Sequence, residues 1–142
     1  MKKFLITIGI AIPLITLLAF KGGENNKKAE VVKADGDELV DCLVKYKSKW
    51  GEACNQCGNS PDTYIVYVKN TCSKKLDVMI GVQEESKMLR LSTFYGVAPN
   101  DTIRSYACKG TGKMYKWVRE TGDKSVTFPT QKEANDFVNP TK

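Results

Sequence analysis

Between Tyr64 and Phe128 the chain repeats one device: a short run of Val, Ile, Leu, Tyr, Phe or Trp, then a cluster of turn formers, roughly every dozen residues. Such spacing belongs to the strands of a small sandwich or barrel. A strand alternates its side chains between two faces, and a turn must close it before the next strand can pair. Six strands are predicted: Tyr64 to Lys69, Leu76 to Gln83, Met88 to Tyr95, Thr102 to Cys108, Met114 to Arg119 and Ser125 to Phe128. The expected fold class is mostly β, a small antiparallel β-sandwich or barrel of about six strands with one N-terminal helix.

The helix is read from the preceding stretch. From Glu38, the residues Leu39, Leu43, Tyr46 and Trp50 recur at spacings of four, three and four, which marks one face of a helix of about ten to twelve residues. Lys45, Lys47 and Lys49 then point to solvent, and Asp35 or Asp37 caps the start. At the far end, Thr130 with Glu133 makes a capping-box pattern ahead of one or two helical turns over Gln131–Val138.

Ahead of this domain, Met1-Lys2-Lys3 is basic and Phe4–Phe20 runs seventeen residues without a charge. This is the pattern of a signal peptide or an N-terminal membrane anchor over residues 1–20. Seventeen helical residues reach about 25 Å, short of the roughly 30 Å hydrocarbon core, and Pro13 suits a signal better than a straight span. Against cleavage, cuts after Ala19 or Gly22 place Leu17 or Phe20 at the −3 position. Either reading exports the remainder of the chain to the periplasm, cell envelope or extracellular space, with membrane contact only through residues 4–20. Lys21–Asp37 is polar and mixed in charge, a disordered tether. Residues 38–142 remain as one domain.

The chain contains no histidine. That removes Ser-His-Asp and Cys-His nucleophiles, histidine-held zinc and histidine bases, and no Ser-x-x-Lys spacing occurs. Gly110-Thr111-Gly112-Lys113 lacks the first glycine and the trailing hydroxyl of a phosphate loop, so it reads as a turn between the fourth and fifth strands. No enzyme, cofactor or metal is expected. Beyond Asp37 there are sixteen cationic and twelve anionic side chains. That surplus favours an acidic glycan, an anionic envelope component or an acidic protein as partner, with no nucleic acid expected. Tyr115 and Trp117 share a face of the fifth strand; outward they would stack on sugar rings, inward they would fill the sandwich.

Five cysteines remain: Cys42, Cys54, Cys57, Cys72 and Cys108. In an oxidising compartment they form disulfides. Alternating strand directions place Cys72, after the first predicted strand, at the end opposite Cys108, and a bridge between them would exceed the roughly 7 Å Cα separation a disulfide tolerates. Cys108 is therefore expected to pair with Cys54 or Cys57, and Cys72 with the other. Cys42, on the predicted helix, is the expected free thiol. A competing reading makes Cys54-x-x-Cys57 the redox pair of a periplasmic thiol-disulfide oxidoreductase. However, turn sequence, Gly58-Asn59-Ser60-Pro61, succeeds it, where a redox motif opens a helix that lowers the thiol pKa.

The run Tyr67–Cys72, the strand Leu76–Gln83 and the run Tyr106–Lys113 with Trp117 together resemble a group of small uncharacterised exported bacterial proteins. Those proteins carry an Asn-x-Cys and a later Ala-Cys-Lys-Gly-Thr-Gly. The likeness covers Trp50 to Phe128 and implies an exported, compact domain; no activity attaches to it. The function expected from all these features is binding, by a non-enzymatic exported domain.

Overall fold

A computed structural model describes residues 37–140; the export or anchor segment and the tether up to residue 36 lie outside the described residues. The elements are α1 (Asp37–Val40), β1 (Leu43–Trp50), β2 (Tyr64–Asn70), β3 (Leu76–Glu84), β4 (Leu89–Val97), β5 (Thr102–Ala107), β6 (Gly110–Glu120) and α2 (Gln131–Val138). The strands form two antiparallel sheets of three, ordered β1-β2-β5 and β4-β3-β6. Their inner faces share one core, to which Leu43, Val66 and Val68 contribute from the first sheet and Val78, Ile80, Val82, Met114 and Val118 from the second. Full burial of each such side chain is worth about 1.5–3 kcal/mol, so this seam holds the two sheets together.

Strand β3 is buried along almost its whole length. Its even residues enter the core, while Met79 and Gly81 face outward, where Leu89, Leu91, Tyr115 and Trp117 lie under α2 through Ala134 and Val138. Gly81 is tightly covered: a β-carbon there would press on the side-chain ends of Leu89, Leu91 and Trp117 at 3.0–3.3 Å, which would have to shift to admit it. The second helix starts as its sequence dictates. Glu133 N donates to Thr130 Oγ1 at 3.3 Å, and Thr130 N donates back to Glu133 Oε2 at 2.8 Å.

Two predicted elements are corrected. The expected helix from Glu38 to Trp50 is one turn of α1 followed by β1, which pairs with β2 from Leu43↔Asn70 to Trp50↔Tyr64. A bulge between Lys45 and Lys47 inserts a residue into the alternation. The insertion puts Leu43, Tyr46 and Trp50 at spacings of three and four, which imitates a helical period. Tyr46 and Trp50 are in fact exposed. The expected strand Ser125–Phe128 is not a strand. The Arg119 guanidinium captures the carbonyl of Val126 at 2.8 Å and stacks over the Phe128 ring at 4.9 Å, so this stretch is tied to a side chain rather than to a ladder.

The glycine run is also displaced from its expected place. Gly110–Lys113 opens β6, and the crossing between sheets is made by Cys108-Lys109 alone. Gly110 N donates to Asp62 O at 3.0 Å, and a β-carbon on Gly110 would collide with the β-carbon of Tyr64. Only glycine fits where the crossing passes so close to β2.

Candidate functional site

The register of β1, β2 and β5 settles where the sulfurs go. Because Leu43 lies opposite Asn70, Cys42 meets Cys72; because Tyr64 lies opposite Ala107, Cys108 meets the loop that holds Cys57. The bridges are Cys42–Cys72 and Cys57–Cys108, with Cα separations of 5.1 and 5.0 Å. They close the two opposite ends of β2. Local chemistry aims Cys72: its N–H donates to Asn70 Oδ1 at 3.0 Å in an Asx turn, while Thr71 N and Oγ1 both donate to Cys42 O. The Asn70-x-Cys72 and Cys108-x-Gly110 patterns therefore have structural roles in this chain.

The expected free thiol is corrected. Cys42 is bridged, because the residues around it form a strand start beside the end of β2 rather than a helix. Cys54 is the free cysteine and is buried at 8% exposure. Cys54 and Cys57 are not bonded to each other. Among the described residues no group of three or more His, Cys, Asp or Glu is placed to hold a metal.

Tyr115 and Trp117 point out of the sandwich, yet they offer no open platform. Helix α2 lies over them, with the Phe137 ring edge-on to Tyr115 at 6.5 Å and to Trp117 at 6.2 Å. Tyr115 is buried and Trp117 partly so. Apolar cover supplied by the chain's own C-terminal helix wins over exposure to a ligand.

The opposite surface has a different character. On the outer face of β1-β2-β5, pairing puts Lys47 beside Tyr67, Tyr67 beside Arg104, Lys49 beside Ile65, and Ile65 beside Tyr106. Lysines two residues apart on one strand face are roughly 6.5 Å apart, so Lys47 and Lys49 form a short cationic row. Tyr46, 54% exposed, stands at the bulge with its ring 6.2 Å from that of Tyr67. Lys47 Nζ lies 5.5 Å above the Tyr67 ring. Arg90 reaches around from β4, stacks on Tyr106 at 4.4 Å and donates to its hydroxyl at 2.6 Å.

One carboxylate already occupies this face. Glu52, just beyond β1, accepts from Lys49 Nζ at 3.1 Å and from the Tyr67 hydroxyl at 3.3 Å. The Lys49 contact, aided by the Tyr67 hydroxyl and the charge of Lys47, holds the Glu52 carboxyl below the usual carboxylate range. Beside it, Ala53, Cys54, Asn55, Gln56, Arg104 and Tyr106 enclose a pocket of about 260 Å³. None of these face residues stands out once β1 is taken for a helix. Only Lys47-x-Lys49, after the bulge, carries the period-two signal of this face, because Lys45 lies opposite the core residue Val68 on the other side of the sheet.

Comparison with protein-family models, with curated proteins and with solved structures finds no match for this chain.

Proposed function

We propose that this chain is a disulfide-stapled, non-enzymatic binding domain of the cell envelope or exterior that takes a carboxylated glycan on the outer face of β1-β2-β5. The observation that carries the reading is Glu52 seated between Lys49 and the Tyr67 hydroxyl. A set of side chains that holds one carboxylate, next to the exposed Tyr46 ring and further cations, is a receptor for a sugar acid. Charge-assisted hydrogen bonds hold the acid, and a flat ring stacks on the pyranose face. Two bridged cysteine pairs fit an oxidising compartment. Among the described residues no helix is long and apolar enough to cross a membrane.

The test is titration with oligomers of alginate against poly-L-glutamate and vesicles containing phosphatidylglycerol. Alginate binding that weakens with salt and is lost in Lys47→Ala/Lys49→Ala supports the glycan. Preference for poly-L-glutamate or for vesicles moves the function to an acidic protein or a membrane surface. Indifference to all three removes the proposal. The oxidoreductase reading has less support, since in this structure its two cysteines are not paired with each other and Cys57 is bridged to Cys108.

A further inference from the structure

The three cysteines at the lower end of β2 form a set, and the geometry points to an internal disulfide exchange. We infer that the Cys54 thiolate attacks Cys57 Sγ, so that a Cys54–Cys57 bond forms as the Cys57–Cys108 bond breaks. The electron pair of the broken bond leaves on Cys108 as a thiolate. The Cys54 proton goes to solvent and Cys108 takes one up, so no oxidant or reductant is consumed.

Three observations carry this inference. Cys54 and Cys57 occupy the first and fourth positions of one turn, closed by Cys57 N donating to Cys54 O at 2.9 Å. Such turns bring their end Cα atoms within about 7 Å, inside the range a disulfide spans. Cys54, though buried, is one of the residues lining the 260 Å³ pocket, which offers a route for its proton. The leaving sulfur is prepared independently. Arg90 Nη1 donates toward Cys108 Sγ at 4.0 Å, and Gln56 O lies 3.8 Å from the same atom. A guanidinium beside a departing thiolate stabilises it and makes it the better leaving group. The neighbouring carbonyl can then accept the S–H.

The consequence lies in the loop between β1 and β2. Cys57–Cys108 ties that loop to β5, and the same loop carries Glu52 onto the basic face. Exchange closes a local Cys54–Cys57 ring and frees the loop from β5. The sulfur chemistry does not depend on the glycan reading and is tested without a ligand.

The experiment uses the oxidised protein without denaturant. It is held at pH 8 and sampled over minutes to hours, the timescale of uncatalysed disulfide rearrangement. Each sample is quenched in acid, labelled with a maleimide and mapped under non-reducing conditions. The expected result is label growing on Cys108 together with a Cys54–Cys57 peptide. The rate should be independent of protein concentration and several-fold lower in Arg90→Gln, and Cys54→Ala should abolish the change. Label confined to Cys54 at every time, or a rate that scales with protein concentration, overturns the inference. If Cys54→Ala does not fold, the time course on the unaltered chain and on Arg90→Gln still decides.

Discussion

Lys116 Nζ donates to the carbonyl of Val40 at 2.6 Å and also to that of Leu43, from a side chain only 6% exposed on the inner face of β6. Those carbonyls flank the turn from α1 into β1. A charged side chain from the second sheet therefore fixes the entry of the first. Buried carbonyls left without a donor cost about 1–3 kcal/mol, so Lys116→Met, which keeps the volume, should lower stability by about that amount. Urea unfolding followed by circular dichroism measures it; an unchanged midpoint would show the contact to be dispensable.

Cys42–Cys72 closes a loop with a sequence separation of 30 and clamps β1, an edge strand. Chain-entropy arithmetic gives such a bridge about 3.5 kcal/mol. Cys42→Ser/Cys72→Ser should lose stability on that order. Hydrogen exchange should then quicken first at β1 amides, since the other strands keep their partners. Uniform loss of protection along the chain would contradict a role local to β1.

On the basic face, Glu52 competes with an incoming carboxylate for Lys49 and the Tyr67 hydroxyl. Glu52→Gln should strengthen alginate binding several-fold, while Lys49→Ala should weaken it. Both effects should shrink from 50 mM to 500 mM salt as the Debye length contracts from about 14 Å to 4 Å. Titration calorimetry at the two salt concentrations gives the comparison. Weaker binding by Glu52→Gln would mean that the carboxylate organises the face rather than occupying it.

The start of α2 supplies a pH dependence. The Thr130 backbone N–H, then its hydroxyl, hold the Glu133 carboxyl below its ordinary 4.5. Because the folded value is depressed, the contribution is present above the unfolded pKa and lost as pH falls through the folded one. Acid should therefore loosen α2 and uncover Trp117, read as a change in its fluorescence below about pH 4.5 in a Trp50→Phe background. Thr130→Ala should cost about 1 kcal/mol at neutral pH and Glu133→Gln should flatten the acid response.

Gly110→Ala tests the sheet crossing. Its new methyl meets the Tyr64 β-carbon, a backbone-anchored atom that cannot swing aside, and overpacking of this kind costs about 1–3 kcal/mol. Gly58→Ala, where nothing lies within 4 Å but φ is +61°, should cost only the left-handed strain of roughly 1–2 kcal/mol. Thermal unfolding of the two variants compares crowding with strain.

The bulge between Lys45 and Lys47 shows how a correct rule misreads a strand. Periodicity arguments assume that each residue advances the pattern by a fixed angle, and one inserted residue shifts every later side chain. That slip hid β1, and with β1 it hid the basic face and the true partner of Cys72. The neighbouring inference held better: opposite strand directions keep Cys72 away from Cys108, and the structure bridges each to a different cysteine.

The features legible in the chain alone are local. Turn formers and β-branched runs set β2 through β5 to within two residues, and the Thr130–Glu133 pair set the start of α2, because both depend on neighbours close in the chain. Folding in three dimensions added the meetings between distant segments: Cys42 with Cys72, Lys116 with Val40, Glu52 with Tyr67, and α2 over Tyr115. None of these has a local signature, since each exists only once two sheets have packed and fixed which strand ends lie side by side.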